Sequence, residues 1–286
     1  MVLDTDTFNE IDDQFALVYA LLSPEAVEVE AIYAAPFSNT RADTPGRGME
    51  LSHEEILRLL ERMDVSPDGL VFRGVTEYVG PEKVARQAEA VEDLIARARA
   101  SSPGDPLYVV AIAAISNVAS ALLAAPDIAD RIVVVWLGGH ALHWPHTREF
   151  NLRQDVGGAQ VLFDSSAPLV MIPCDGVTTH LTSTPAEIDR YVEPHGAIGA
   201  FLAERFKDYS DDHLGWSKEI WDMAVIAWLV NPDWCPSEIR ARPILTSDVT
   251  WSFDGSRPPM RYIRHMRRNP IFRDFFVKLE RHAGAR

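Results

Sequence analysis

The chain has 286 residues, 47% of them hydrophobic and 24% charged, a mix that excludes a disordered chain, a collagen-like repeat and a small disulfide-stapled scaffold. Asp and Glu total 42 against 27 Lys and Arg, a formal charge of −15, and a field of that sign repels phosphate backbones, so no nucleic-acid partner is expected. The two cysteines, Cys174 and Cys235, cannot build a framework of bridges, and they fit a reducing, cytoplasmic setting.

In chain order, runs rich in Val and Ile read as buried strands at Val2–Leu3, Val27–Ala34, Leu107–Ile112, Ile132–Leu137 and Leu169–Ile172. Patterns of helical period lie between them, at Gln14–Leu22, Ser52–Met63, Pro81–Ala100, Asn117–Ala124 and Val156–Phe163. Beyond about Pro185 the chain turns helical (Ala186–Tyr191, Ala197–Tyr209, Lys218–Val230). A β-like stretch at Pro243–Trp251 follows, then a last helix at Pro270–Arg281. The uncharged stretch Pro106–Pro126 is interrupted by Ser116, Asn117 and Ser120, so it reads as strand, turn and buried helix, and no membrane partner is expected. Asp4 and Asp6 stand where the apolar core of a signal peptide would begin. The short basic cluster Arg261–Arg268 reads as a solvated loop or helix end. Continuous apolar strands alternating with amphipathic helices predict an α/β fold: an open, mostly parallel Rossmann-like sheet with helices on both faces and a helical C-terminal cap, in a single domain over 1–286.

Ligands of such sheets collect beyond the carboxyl ends of the strands, and the polar residues there carry the chemistry. The junction of the first strand and first helix holds Asp4, Asp6, Glu10, Asp12 and Asp13, five carboxylates in ten residues. One or two acids can cap a helix start, but five crowded anions repel one another, and a bound hard cation such as Ca²⁺ or Mg²⁺ relieves that repulsion. Asn39 follows the second strand, Ser116-Asn117 the third, and Gly138-Gly139 and then Glu149-Phe150-Asn151 the fourth. Asp222 opens the apolar helix Ala224–Val230, with Trp221 beside it and Lys218 three residues earlier.

Together these elements resemble the inosine–uridine-preferring nucleoside hydrolase family, from Val2 to about Val230. Asp4, Asp6, Asp12 and Asp13 match its D-x-D-x-x-x-D-D motif with two extra residues in the loop. Ile115-Ser116-Asn117-Val118-Ala119 matches its L-T-N-x-A segment, Leu137-Gly138-Gly139 its M-G-G turn, Arg148-Glu149-Phe150-Asn151 its A-E-F-N, and Trp221-Asp222-Met223 its H-D-P. The resemblance implies a calcium-dependent hydrolase of the N-glycosidic bond of ribonucleosides, commonly a homodimer or homotetramer. It implies Asp6, Asp13, Asp222 and the backbone carbonyl of Ser116 as calcium ligands. It further implies Asp12, Asn39, Glu149 and Asn151 as holders of the ribose hydroxyls, and Asp6 as general base. The residue types suit the chemistry, because carboxylates stabilise an oxocarbenium-like sugar and one of them can take a proton from water.

Two features depart from the family. Trp221 stands where uridine-preferring members place a histidine, and no H-G segment lies between Phe72 and Lys83. The leaving base therefore lacks its usual proton donors. Trp221 offers a stacking platform for a purine, while His140, His143 and His146 are candidate donors. Two alternatives remain at this level: a non-catalytic nucleoside-binding protein of the same fold, and a haloacid-dehalogenase-type phosphatase using Asp4-Thr5-Asp6 as a D-x-D nucleophile motif.

Overall fold

The computed structural model describes residues 1–285. Its frame is an eight-stranded sheet built from β1 (Val2–Thr5), β2 (Ala31–Ala34), β3 (Val71–Arg73), β4 (Leu107–Ala111), β5 (Ile132–Leu137), β6 (Leu169–Ile172), β7 (Ser237–Ala241) and β8 (Pro259–Ile263). The strands lie in the order β3-β2-β1-β4-β5-β6-β8-β7, all parallel except the edge strand β7. The helices are α1 (Asp12–Leu21), α2 (Pro45–Met63), α3 (Glu89–Ala100), α4 (Ser116–Ala124), α5 (Phe150–Gln154), α6 (Val156–Asp164), α7 (Pro185–Tyr191), α8 (Gly196–Lys207), α9 (Met223–Val230) and α10 (Arg268–Gly284).

Alternate strand residues feed two cores. Leu3, Val110 and Val135 pack with Phe15 of α1, Ile56 of α2, Phe206 of α8, Val225 of α9 and Phe275 of α10. Val2, Val109 and Trp136, one residue out of step, pack with Leu94 of α3, Val118 of α4 and Leu162 of α6 on the other face. A strand buried on both faces needs apolar side chains at every position, which is why these strands read as unbroken apolar runs. No helix among the described residues is long and apolar enough to cross a membrane.

Several elements differ from the sequence reading. The helix expected over Pro81–Ala100 begins only at Glu89, because Gly80 and Lys83 turn the chain through positive φ (74° and 53°). Strand β3 escaped notice because its three residues, Val71–Arg73, are partly exposed and form no long apolar run. The basic cluster is not a loop or helix end throughout: Arg261–Ile263 belong to β8, with Tyr262 and Ile263 buried and Arg261 exposed. The helix expected from Lys218 starts at Met223, while Lys218–Glu219 pair with Thr182–Ser183 as a two-stranded ribbon.

Strand β1 sits between β2 and β4, so successive connections leave it in opposite directions across the sheet. Such a reversal opens a crevice at the carboxyl ends of the strands. The chain places its acidic junction there.

Candidate active site

Asp4, the third residue of β1, is fully buried, with Oδ1 accepting from Asn117 Nδ2 at 2.7 Å. Asp6, in the turn after β1, is also buried, and neither of its carboxylate oxygens has a hydrogen-bond partner. Asp12 and Asp13 form the first turn of α1, and one oxygen from each lies within 4.8 Å of one from Asp222. Across 210 positions of sequence, the Asp222 N–H donates to Asp12 Oδ2 at 3.3 Å, while Thr5 Oγ1 donates to Asp13 Oδ1 at 2.5 Å. Helix capping does not account for this cluster. No side chain caps α1, and Asp222, at the N-cap of α9, makes no side-chain cap bond.

Burial is the main cause that raises the proton affinity of these acids, and mutual repulsion adds to it. Asp4 is pushed up to about 7 and Asp12 to about 6, while Asp6, Asp13 and Asp222 move in the same direction. A buried carboxylate oxygen without a donor is costly unless a proton or a cation meets it. Asp4 Oδ2, both oxygens of Asp6 and Asp12 Oδ1 are all in that position. An all-oxygen donor set of this kind fits a hard divalent cation.

Above the acids lies a cavity of about 630 Å³, and Asp12, Asp13, Asn39, Glu149, Asn151, Trp221 and Asp222 all line it. Residues expected at the ends of three strands and at the start of a late helix therefore meet at one site. Glu149 starts α5, accepting from the N–H groups of Gly139 at 2.9 Å, Asn151 at 2.8 Å and Leu152 at 2.9 Å, yet burial still pushes it up to about 7. Gly139 is needed in that turn: its φ is +74°, and an added Cβ would stand 2.6 Å from Thr147 Oγ1. Asn151 Nδ2 donates to the Leu137 carbonyl at 3.1 Å, and Asn39 Nδ2 donates to Asn9 Oδ1 at 2.8 Å.

Ser116 does not take the expected place. It begins α4 outside the cavity lining, and its hydroxyl donates to Asp155 Oδ2 at 2.6 Å. The carbonyl of a first-turn residue points along its helix, toward the residue four further on. Ile112, just past β4, lines the cavity instead, and its N–H donates to the Asp4 carbonyl at 2.9 Å.

Behind one wall lies a cation that sequence reasoning gave no role. Lys218 is buried, with Nζ 3.2 Å from Glu10 Oε2, 3.9 Å from the Trp221 ring centroid and 4.7 Å from that of Tyr209. Tyr209 in turn donates its hydroxyl to Glu10 Oε1. Trp221 both packs against the core and borders the cavity. On another wall stand His140, Asp175 and Cys174, whose thiol is held protonated by burial and then by the charges of Glu149 and Asp175.

With this geometry in place, comparison with known proteins is decisive. Residues 1–268 match the family model described as inosine-uridine preferring nucleoside hydrolase. The chain belongs to that family. It is 29% identical over 259 residues to the pyrimidine-specific ribonucleoside hydrolase RihA of Klebsiella pneumoniae, covering 82% of this chain and 80% of the relative. Over 258 residues it is also 29% identical to RihA of Salmonella typhimurium, with the same shares covered. Among solved structures, the purine-preferring ribonucleoside hydrolase of Gardnerella vaginalis superimposes with a TM-score of 0.78 at 22% identity, covering 100% of this chain and 99% of the other. An inosine-guanosine nucleoside hydrolase superimposes with a TM-score of 0.73 at 17% identity, over 98% of each chain. The family bears out the expected N-ribohydrolase and removes the phosphatase alternative, whose nucleophile would be Asp4, an acid buried against Asn117.

Proposed function

We propose that this nucleoside hydrolase uses a divalent cation, calcium by the size and hardness of its donor set, and that Asp6, Asp13, Asp222 and the Ile112 carbonyl hold it. The observation that supports this reading is the set of buried carboxylate oxygens without donors beneath the cavity. When bound, the cation neutralises the acids, anchors the sugar diol and makes a nearby water more acidic. Asp6 removes a proton from the attacking water, a role open to a carboxylate whose oxygens have no other hydrogen-bond partner. Asp12, Asn39, Glu149 and Asn151 hold the ribose hydroxyls from the cavity wall. The carboxylates of Asp12 and Glu149 also lie where positive charge develops on the oxocarbenium-like sugar.

Trp221 supplies a flat face for the nucleobase, and Lys218 fixes its indole by a cation–π contact. The reading includes a cytoplasmic enzyme that assembles as a homodimer or homotetramer, which light scattering on the purified chain measures. The experiment for the activity is release of free ribose from a nucleoside mixture, assayed with calcium and with a chelator. Ribose release that stops on chelation and returns with calcium is expected. Binding without any release would favour the non-catalytic alternative.

A further inference from the structure

A departing nucleobase needs a proton, and the position that carries a histidine in uridine-preferring relatives holds Trp221, whose indole cannot donate one usefully. The chain has nine histidines, and among the described residues His140 alone of them lines the cavity. It directly follows the Gly138-Gly139 turn, is buried, and is anchored through its own N–H to Thr147 Oγ1 at 2.9 Å. Its ring faces Asp175: the Asp175 N–H donates to His140 Nδ1 at 3.2 Å, and Asp175 Oδ2 lies 3.4 Å from the same nitrogen. Nδ1 thus has a partner in either protonation state. An unprotonated Nδ1 accepts from the amide, and a protonated Nδ1 donates to the carboxylate. In both states that arrangement leaves Nε2 as the nitrogen free for a ligand.

The geometry points to His140 as the catalytic acid that protonates the leaving nucleobase, with Asp175 as its positioning residue. This deepens the ribohydrolase reading and rests on it. As the C1′–N bond opens, its electron pair moves into the base, a base nitrogen takes the Nε2 proton of the imidazolium, and the ring is left neutral with its remaining proton on Nδ1, donated to the Asp175 carboxylate. The water that adds at C1′ gives one proton to Asp6, Asp6 releases it to solvent and solvent returns one to His140, so nucleoside and water become ribose and neutral base.

The other proton carriers on the walls are committed elsewhere. Tyr209 donates to Glu10, and the Cys174 thiol is too weak an acid; Lys218, behind the wall, is paired with Glu10. Burial and then His146 oppose protonation of His140, while the Asp175 carboxylate favours it, and a proton held loosely is transferred readily.

The test compares inosine and uridine with 4-nitrophenyl β-D-ribofuranoside, whose phenolate departs without a proton. In His140→Gln, the ratio of kcat/KM for nucleosides to that for the nitrophenyl riboside should fall about 10²-fold or more. Asp175→Asn, at a half-exposed position, should lower the same ratio by a smaller factor, and it keeps the question open to experiment if His140→Gln does not fold. Equal losses on both substrate types overturn the assignment and leave His140 as a sugar-binding or packing residue. A wild-type protein that cleaves neither substrate with calcium present overturns the ribohydrolase reading itself, and this one with it.

Discussion

Asp6 and Trp221 show how much one side chain decides here. Asp6 has two buried oxygens and no donor for either, so Asp6→Asn removes charge without changing shape. Turnover should fall about 10²–10⁴-fold, the worth of a positioned general base. Metal content measured on the same sample separates lost chemistry from lost cation, and a variant of full activity excludes Asp6 as base. At Trp221, one face of the indole is covered by Lys218, whose Nζ lies 3.9 Å from the ring centroid. If the cavity-facing side stacks on a base, Trp221→Ala should weaken purine nucleosides more than pyrimidine ones, by an amount within the roughly 1–3 kcal/mol of base–aromatic stacking. Equal losses for both classes, or faster wild-type cleavage of uridine than inosine, would remove Trp221 from specificity.

At the scale of elements, the site depends on how α4, α6 and the turn after β3 are tied together. Asp155, the N-cap of α6, is buried and accepts from Ser116 Oγ at 2.6 Å, Val79 N at 2.8 Å, Gly80 N at 3.0 Å and Gly158 N at 2.9 Å. Asp155→Ala strands all four donors and should cost about 3 kcal/mol or more. For a chain of this size that lowers Tm by about 6–12 °C, measurable by calorimetry. These elements also show what the sequence made legible. Strands β1, β4, β5 and β6 were readable because burial on both faces demands apolar residues at every position, and the acids of Asp4 to Asp13 stood out by crowding. Strands β7 and β8 were not readable, because half-exposed strands near the sheet edge carry charged side chains such as Arg240 and Arg261. Ile112 was hidden for another reason: the role proposed for it is that of a carbonyl, and any residue type supplies one. Lys218 was visible as a residue but not as a contact, since its pairing with Glu10 spans most of the chain.

Across the whole molecule, the acids join the first turn of α1 to the start of α9, so a cation bound there links distant parts of the sequence. Calcium at about a hundredfold over its Kd should stabilise the fold by about 2.7 kcal/mol and raise Tm by about 5–10 °C. The gain should depend on pH. Asp4 rises from an ordinary 3.8 to about 7 and Asp12 from 3.8 to about 6, so the folded, metal-free protein holds more protons than the unfolded chain between those values. The contribution of these two acids is therefore full below about pH 4 and declines as pH climbs through 6 and 7. Thermal melts at pH 5 and pH 8 should show calcium contributing more at pH 8, where the carboxylates it replaces protons on are ionised. An increment independent of pH would place the cation elsewhere.

The thiol on the cavity wall has a consequence for durability. Cys174 lies beside the reacting centre, in a place where an oxidised or alkylated sulfur would block the cleft. Burial and the surrounding anions keep it from becoming thiolate, and only thiolate reacts quickly with peroxide or alkylating agents. The working protein should therefore age slowly. An hour with iodoacetamide at pH 7.5 should leave Cys174 unmodified by mass spectrometry, while the same reagent in urea labels it fully.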